Sequence, residues 1–242
     1  GFSAGGRTPS VTSAIHKWAF AGSGVSSSSA GSLSYSRRGC CGVSNAGDQY
    51  AYSMGGYTGV TVSGTMDVYN MTNTSGSFDT ASLSSNRYGS GGSESSTRGY
   101  ISGGGPTTTV DKIVFASFTT GVAERALGLS TGETQATNST THSYTMGGQV
   151  GSLGSTAYDA IQKFSFADEL DSTKTGVLTR GRRYASTFHS RDYAYICGGG
   201  ESPVGADSEK MAFASDTDTA NIGVLTLARN DCAGHQSLTL EI

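Results

Sequence analysis

Tyr195-Ile196-Cys197-Gly198-Gly199 is one copy of a short pattern, a tyrosine strand closed by a glycine pair, that recurs along the whole chain. The other copies end at Gly5-Gly6, Gly55-Gly56, Gly103-Gly104 and Gly147-Gly148. The first glycines of successive pairs lie 50, 48, 44 and 51 residues apart. A near-constant period of this length predicts a repeat architecture, in which each unit forms the same small group of elements.

Three further columns keep a constant place between the glycine pairs. The first is a pair of apolar residues two positions apart, which share one face of a β-strand because side chains alternate along it. The pairs are Trp18 and Phe20, Tyr69 and Met71, Ile113 and Phe115, Phe164 and Phe166, and Met211 and Phe213. The residue before each pair, which alternation places on the wetter face, is Lys17, Val68, Lys112, Lys163 or Lys210.

The other two columns are a leucine followed by serine or threonine, and a residue four positions after that leucine. The leucine column comprises Leu33, Leu83, Leu129, Leu178 and Leu225. The third column comprises Arg37, Arg87, Glu133, Arg182 and Arg229. One unit therefore has an acid where the other four have arginine. Small residues follow this column in most units, and the tyrosine strand and glycine pair come next.

Each unit holds about four short strands in about 48 residues, which is typical of one blade of a β-propeller. Five copies of each column predict an all-β fold, a β-propeller of five four-stranded blades, in a single domain over residues 1–242. We expect the strand of small residues to be innermost, because the blades converge at a central channel. The glycine pair would end the second strand where positive φ or a close backbone approach is needed.

The two ends of the chain are expected to share one blade. Ser237–Ile242 falls at the tyrosine-strand position, so N- and C-terminal strands would close the ring, two from each end. Such a closure leaves no exposed sheet edge across the joint. Phe2 and Leu240 fall on the same strand position, however. Either the N-terminal stub lies outside the sheet, or a sixth blade or partner domain completes the ring.

The composition excludes several classes of protein. Of the 242 residues, 36 are glycine and only 14 % are charged, against a usual charged share of about 25 %. The net charge of −3 argues against general binding to nucleic acid. No apolar stretch approaches the ~18 residues of a membrane-spanning helix. A polar chain with few charges and short strands fits an extracellular or virion surface better than a cytosolic enzyme.

The cysteines and histidines predict no cofactor and no metal site. Cys41 and Cys232 fall at nearly equivalent positions of the first and last units, so either they form a disulfide or the cysteines are buried free thiols beside the channel. The histidines are scattered over different columns and there is no Cys-x-x-Cys. They are His16, His142, His189 and His235.

The order of the columns resembles the Kelch, or galactose-oxidase-type, repeat. More narrowly, it resembles the Kelch-like repeats of structural proteins of tailed bacteriophages, especially those of cyanobacterial hosts. The stretches that carry the resemblance are Ser95–Gly104, Val110–Ser117 and Ile161–Ala167. The tryptophan common in ordinary Kelch blades is absent, since Trp18 lies in the paired-apolar strand. The resemblance implies a propeller that serves as a binding or scaffold module in a virion appendage such as a tail or head fibre, and leaves open that the domain is a piece of a longer fibre protein.

The arginine column is the first candidate ligand site. The resemblance places it near one mouth of the channel, where Arg37, Arg87, Arg182 and Arg229 would form a ring that suits carboxylate or phosphate groups. The alternative is that each arginine bonds loop carbonyls between blades. The second candidate is Tyr57, in the loop after a glycine pair, because an aromatic residue in a loop can expose a face for sugar stacking.

These observations favour a non-enzymatic virion surface module that recognises a host-surface glycan or lipopolysaccharide, or that decorates the particle. Its partners would be that glycan and other virion proteins, with homo-oligomers left open. One alternative is a secreted propeller lectin with equivalent pockets between blades, which would gain avidity by repetition. Another is a glycan-active enzyme, although no phosphate loop is present. Fold alone does not decide among them.

Overall fold

The protein is built almost entirely of β-strands. The computed structural model describes residues 1–7, 9–19, 26–45, 47, 49–73, 78–105, 107–150, 156–170, 173–200, 204–231 and 234. The only helical element among them is a single 3-10 turn, Phe115–Ser117. No helix in this part of the chain has the length and apolarity needed to cross a membrane.

The strands form five antiparallel sheets, which follow one another along the chain. The first sheet is β1 (Phe2–Ala4), β2 (Ala14–Lys17) and β3 (Ser28–Ser32). The second is β4 (Cys41–Asn45), β5 (Tyr50–Met54), β6 (Thr65–Asn70) and β7 (Phe78–Ser82), and the third is β8 (Gly91–Glu94), β9 (Arg98–Ser102), β10 (Thr107–Val114) and β11 (Thr119–Thr131). The fourth is β12 (Gln135–Asn138), β13 (His142–Met146), β14 (Ala160–Ser165) and β15 (Thr173–Val177), and the fifth is β16 (Ser186–His189), β17 (Tyr193–Cys197), β18 (Asp207–Ala212) and β19 (Ala220–Val224).

These sheets are the five blades of a β-propeller, as the repeat predicted. Within each blade the strands are neighbours in chain order. The first strands of successive blades also lie side by side: β4 next to β8, β8 next to β12, and β12 next to β16. The strands of small residues are therefore innermost, and the tyrosine strands come second.

The N-terminal stub lies inside the first blade. β1 pairs with β2, with Phe2 opposite Lys17 and Ala4 opposite Ile15. The N-terminal part of the chain thus contributes three strands to this blade, and the expectation of two was wrong. The closing strand predicted at Ser237–Ile242 lies outside the described residues.

The glycine pairs are explained by a close approach between strands. Gly55 has φ +64°, and a Cβ there would lie 2.5 Å from the carbonyl oxygen of Arg87. The N–H of Gly56 donates to that same carbonyl at 2.9 Å. A side chain at the first glycine would displace the loop that carries the arginine column.

Stacked aromatic rings hold consecutive blades together. In each case a tyrosine of the second strand meets a phenylalanine of the next blade at a centroid distance of 5.1–5.2 Å. The pairs are Tyr52 with Phe115, Tyr100 with Phe166, and Tyr144 with Phe213. The paired-apolar column therefore supplies the contact to the preceding blade.

A second contact near these rings involves the lysine column. Lys163 Nζ pairs with Asp216, and the hydroxyl of Tyr144 donates to the same carboxylate at 2.7 Å. Lys112 Nζ likewise lies 3.0 Å from Glu169 Oε2. Both acids belong to the next blade, so these lysines connect blades as well as facing the wetter side.

Candidate functional site

A clamp around a buried carboxylate explains the leucine and arginine columns. Arg37 Nη2 lies 2.5 Å from Asp67 Oδ2, and both side chains are fully buried. The N–H and the hydroxyl of Ser34 donate to the two oxygens of that carboxylate, at 2.9 and 3.0 Å. Ser34 follows the outer strand of the first blade and Asp67 lies on the third strand of the second. The clamp therefore joins consecutive blades.

The same three donor groups recur at two more blade junctions. Ser84 and Arg87 hold Asp111, and Thr179 and Arg182 hold Glu209. Arg87 and Arg182 are as buried as Arg37, with 2 % and 0 % exposed. All three also donate to backbone carbonyls. The expectation that these guanidinium groups form an open ring at the channel mouth was wrong, because each of the three is buried against a carboxylate of the next blade.

Arg229 differs from the other three arginines. It is exposed, and its Nε donates to the carbonyl of Leu227 at 3.4 Å. No carboxylate of the described residues lies within 4.0 Å of its guanidinium group. Of the predicted arginine ring, only this member is open to solvent.

Glu133 does not occupy the arginine column, although the sequence pattern placed it there. In four units the second glycine donates its N–H to the carbonyl of the column arginine; in the remaining unit Gly104 donates to Thr131, at 2.9 Å. Thr131 therefore takes the arginine position, and the buried Leu127 takes the leucine position. The pattern slipped by two residues because Leu129 also fits the leucine spacing. The acid that this unit was expected to place among the arginines falls two positions further on.

Glu133 belongs instead to a column of residues with left-handed backbone. Its members all have φ between 52° and 67°, and they are Gly39, Gly89, Glu133, Tyr184 and Asp231. Backbone hydrogen bonds connect this column from blade to blade: Gly89 to Gly39 at 2.9 Å, Thr134 to Gly89 at 3.0 Å, Tyr184 to Glu133 at 3.2 Å, and Asp231 to Tyr184 at 2.9 Å. These bonds lie where the chain enters the innermost strands, and so they mark one mouth of the channel.

The side chains around this mouth come from several blade junctions, and their combination differs from one described junction to the next. We call them the mouth cluster. Its members are Arg38, Tyr57, Tyr88, Glu133, Gln149, Arg183, Tyr184 and Asp231. Cationic, aromatic and acidic groups are mixed in this cluster, which distinguishes it from the uniform clamps beneath it.

One half of the mouth cluster is a hydrogen-bonded group around Glu133. The Glu133 carboxylate accepts from the hydroxyl of Tyr184 and lies 3.2 Å from Arg183 Nη1. Arg183 Nη1 also donates to the side-chain oxygen of Gln149, and its Cζ lies 5.5 Å from the centre of the Tyr184 ring. Glu133 and Gln149 are buried, whereas Arg183 and Tyr184 are half-buried. These mutual contacts restrain the Arg183, Glu133 and Tyr184 side chains.

The other half is aromatic and more open. Arg38 is exposed, and its guanidinium carbon lies 5.4 Å from the centre of the Tyr57 ring. The rings of Tyr57 and Tyr88 are 6.3 Å apart. Tyr57 is held by its own loop, since its hydroxyl donates to the carbonyl of Gly59 at 3.0 Å. The structure therefore places the predicted stacking residue, Tyr57, at the channel mouth beside a cation.

The electrostatics tie the two halves together. Burial is the main cause that raises the pKa of Tyr184, and the hydrogen bond to Glu133 and the nearby Glu133, Tyr88 and Asp231 raise it further. Burial also raises the pKa of the Asp231 carboxyl, while the charge of Arg38 acts in the opposite direction. The tyrosine hydroxyl thus stays protonated and available as a hydrogen-bond donor.

The described histidines are not members of the mouth cluster, whereas Cys40 lies beside it, since a Cβ at Gly56 would be 2.8 Å from the Cys40 Sγ. Burial lowers the pKa of His189 to about 4, so its ring is neutral at physiological pH. Burial raises the pKa of Cys41 to about 12, which keeps that thiol protonated. The described cysteines, Cys40, Cys41 and Cys197, are free thiols, and the predicted partner Cys232 lies outside the described residues. Within those residues no three acid, histidine or cysteine side chains gather as a metal site would require.

The fold of the chain is also found among solved structures. It superimposes on a solved structure described as the structure of YjhT with a TM-score of 0.77 and 12 % sequence identity, over 91 % of this chain and 80 % of that one. At this identity the similarity defines the fold and nothing further. No protein-family model and no curated protein matches the sequence.

Sequence reasoning missed the clamp carboxylates and most of the mouth cluster. A signal for the carboxylates exists: the residue before the lysine column is acidic in the three units whose preceding arginine is buried. The five residues are His16, Asp67, Asp111, Gln162 and Glu209. The mouth cluster had no comparable signal, because its members share a place in the ring and not a residue type.

Proposed function

We propose that the protein is a non-enzymatic module on the virion surface of a tailed phage, and that it binds a host-surface glycan through the mouth cluster. The carrying observation is the mixture of groups at one mouth of the propeller. Exposed guanidinium and carboxyl groups suit the hydroxyl and acidic substituents of a sugar, and tyrosine faces suit its apolar C–H surface. The virion setting is supported by the resemblance of the repeats to phage structural proteins.

A rigid frame under the site supports binding without rearrangement. The backbone bonds between blades fix the left-handed column, and Gln149, Glu133 and Tyr184 restrain the Arg183 side chain. Preorganised groups bind with less loss of side-chain entropy. We therefore expect the free and glycan-bound forms to have closely similar backbones.

A single site distinguishes this proposal from the lectin alternative. A repeat lectin would present equivalent pockets at each junction, whereas the left-handed column of the mouth has glycine in two units and Glu133, Tyr184 and Asp231 in the other three. We expect one glycan per chain in a titration, and several weaker sites if the lectin alternative is correct.

The enzymatic alternative rests on the pairing of Tyr184 with Glu133, which places a phenol beside a carboxylate. A nucleophilic tyrosine would need to lose its proton readily. Here burial and the neighbouring acid raise the pKa of Tyr184, so the pair favours binding over catalysis. Turnover of any member of a glycan panel, abolished by Glu133→Gln, would establish the enzyme instead.

The binding experiment compares two variants in the mouth cluster with a control variant outside it. We would measure binding of a host polysaccharide and lipopolysaccharide panel to the chain, to Arg38→Ala and to Tyr57→Ala. Arg191→Ala is the control, because Arg191 is 93 % exposed in the hairpin between β16 and β17, at the far end of these strands. We expect at least a ~10-fold loss of affinity for the first two variants and no change for the control. Equal binding by all three would refute the site.

The virion setting is tested separately. Antibody labelling of purified particles should decorate an appendage or the particle surface. If the protein is abundant in infected cells and missing from purified particles, the virion assignment fails, while the glycan site can still stand.

A further inference from the structure

The outer part of the fifth blade has a face that no other strand of the described residues covers. We call it the forward face of the fifth blade, meaning the side that would meet the next blade in chain order: β19 with Leu225, Leu227 and Arg229, and Tyr195 beside them. Every residue of β19 is exposed, with Ile222 at 47 % and Val224 at 75 %, and Leu227 is 66 % exposed. Apolar residues grouped on one exposed face indicate a contact surface.

The corresponding faces of other blades show that this exposure is specific to the fifth. Ala30 stands three residues before the column leucine, as Ile222 does, and is only 4 % exposed. Leu33, Leu83 and Leu178 are buried, while Leu225 is half-exposed. In those blades the next blade covers the face. Because the same contact between blades recurs at the other junctions, it indicates which residues a blade docked on the fifth should carry.

Two columns specify the chemistry of the missing cover. The clamp requires an acid on the third strand of the following blade, as Asp67, Asp111 and Glu209 supply. The tyrosine of the second strand requires an aromatic ring from that blade. Tyr195 instead stacks on Phe188 of its own blade, at 5.0 Å, and is half-exposed.

The first blade of this chain does not supply the acid. The acid of the clamp has a fixed partner on the second strand, namely the residue two positions before the first glycine of the pair. Asp67 lies opposite Ser53 in this way, and Glu209 lies opposite Ile196. In the first blade that position is His16, opposite Ser3. His16 is exposed, as Arg229 is. An imidazole cannot reproduce the clamp, since the clamp uses the negative charge and both oxygens of a carboxylate, whereas a neutral imidazole is uncharged and offers a single acceptor nitrogen.

We infer that the forward face of the fifth blade receives the outer strands of one further blade, with an Asp or Glu on its third strand facing Arg229 and an aromatic side chain against Tyr195. Gly234 already lies at the innermost position of that blade, since a Cβ there would be 2.2 Å from the carbonyl oxygen of Thr187, as one at Gly92 would be from that of Gly42. The occupant is a blade other than the first blade of this chain or of a second copy, because both carry His16 at the decisive position. Docking would bury Arg229 beside a carboxylate and remove Ile222, Val224 and Leu227 from water.

The test supplies such a blade from the chain itself. A second copy of residues 185–231 is inserted directly after Asp231, which keeps the register because Asp231 and Tyr184 occupy the same left-handed column. The inserted copy brings its own Glu209 and Phe213. We expect a Tm at least about 5 °C higher than that of the parent chain. We also expect reaction of the original Arg229 with phenylglyoxal to slow at least ~10-fold, measured by peptide mapping.

Two further variants keep the inference open to refutation. Glu209→Gln made only in the inserted copy should remove most of the protection of Arg229 while leaving the added strands in place. His16→Asp in the parent chain should change neither Tm nor the reactivity of Arg229. If His16→Asp raises Tm and protects Arg229, the first blade itself covers the fifth and the inference is overturned. It is equally overturned if the extended chain folds, by its circular dichroism, but leaves Arg229 as reactive as before.

Discussion

Arg182 and Arg229 stand at the same position of successive repeats and have opposite surroundings. Arg182 is fully buried and pairs with Glu209, whereas Arg229 is exposed and its guanidinium group donates only to the carbonyl of Leu227 among the described residues. The leucine and the threonine before each of them are the same. The environment of the arginine is therefore set by the third strand of the blade that follows it, and not by the motif that contains it.

The fourth blade shows the same dependence with neutral groups. Gln162 takes the acid position, and its side-chain oxygen accepts from the N–H of Leu129 at 2.7 Å. Thr131 takes the arginine position and is fully buried. When the acid is replaced by an amide, the arginine is replaced as well. A buried charge is tolerated only with its partner.

Breaking a charged clamp should give the largest effect. Arg182→Ala leaves the Glu209 carboxylate buried with only the donors from Thr179 and Thr219, and we expect a loss of about 3–5 kcal/mol in the free energy of unfolding. Arg229→Ala is the matched control and should change it by less than about 0.5 kcal/mol. Urea unfolding followed by tryptophan fluorescence and circular dichroism measures both. Similar losses for the two variants would contradict the comparison.

The sequence predicted the fold well because the repeat records it. The glycine pair, the tyrosine strand and the paired apolar residues each meet a requirement that recurs in every unit, such as positive φ at Gly55 or the ring contact of Phe115 with Tyr52. The site was predicted poorly. Arg37 and Asp67 are 30 residues apart and belong to different columns, so no single repeat unit displays the pair. The slip at Glu133 arose because Leu127 and Leu129 both fit the pattern.

Introducing one charge into the neutral clamp should have the next largest effect. Gln162→Glu places a carboxylate where Leu129 supplies an N–H but no arginine is present. We expect a loss of about 2–3 kcal/mol at pH 8. Adding Thr131→Arg should recover part of this loss, since it restores the pairing seen in the other blades. If Gln162→Glu is as stable as the parent chain, burial does not control the clamp.

Glu94 sharpens the comparison, because it is an acid near the channel with a different set of partners from Glu209. It accepts the N–H of Ser44 at 3.1 Å. Burial raises the pKa of its carboxyl to about 7, so the folded protein holds a proton that the unfolded chain releases at its ordinary pKa. Stability should therefore fall as pH rises from about 4.5 to about 7. The slope cannot exceed ~1.4 kcal/mol per pH unit, because a single group exchanges at most one proton. The partial exposure of Glu94 should keep the slope below that ceiling.

Glu94→Gln should remove that slope and leave the protein more stable than the parent chain at pH 8. The measurement is urea unfolding at several pH values between 4 and 8. Arg191→Ala again serves as a control that leaves the slope unchanged. A parent chain whose stability rises over this range would show that Glu94 is ionised in the folded state.

The smallest effect is expected at the lysine contacts between blades. Lys163→Met removes the pair with Asp216, whose side chain is 24 % exposed, and we expect a loss of at most about 1 kcal/mol. The second blade already has an apolar version of this contact, with Val68 in the lysine column and Phe118 of the next blade 6.4 Å from Tyr52. Lys163→Met combined with Asp216→Phe should therefore be no less stable than Lys163→Met alone. If Lys163→Met lowers the free energy of unfolding by much more than this, measured by thermal unfolding, the Lys163–Asp216 pair behaves like the buried Arg182–Glu209 clamp. Partial exposure would then not weaken a pairing between blades.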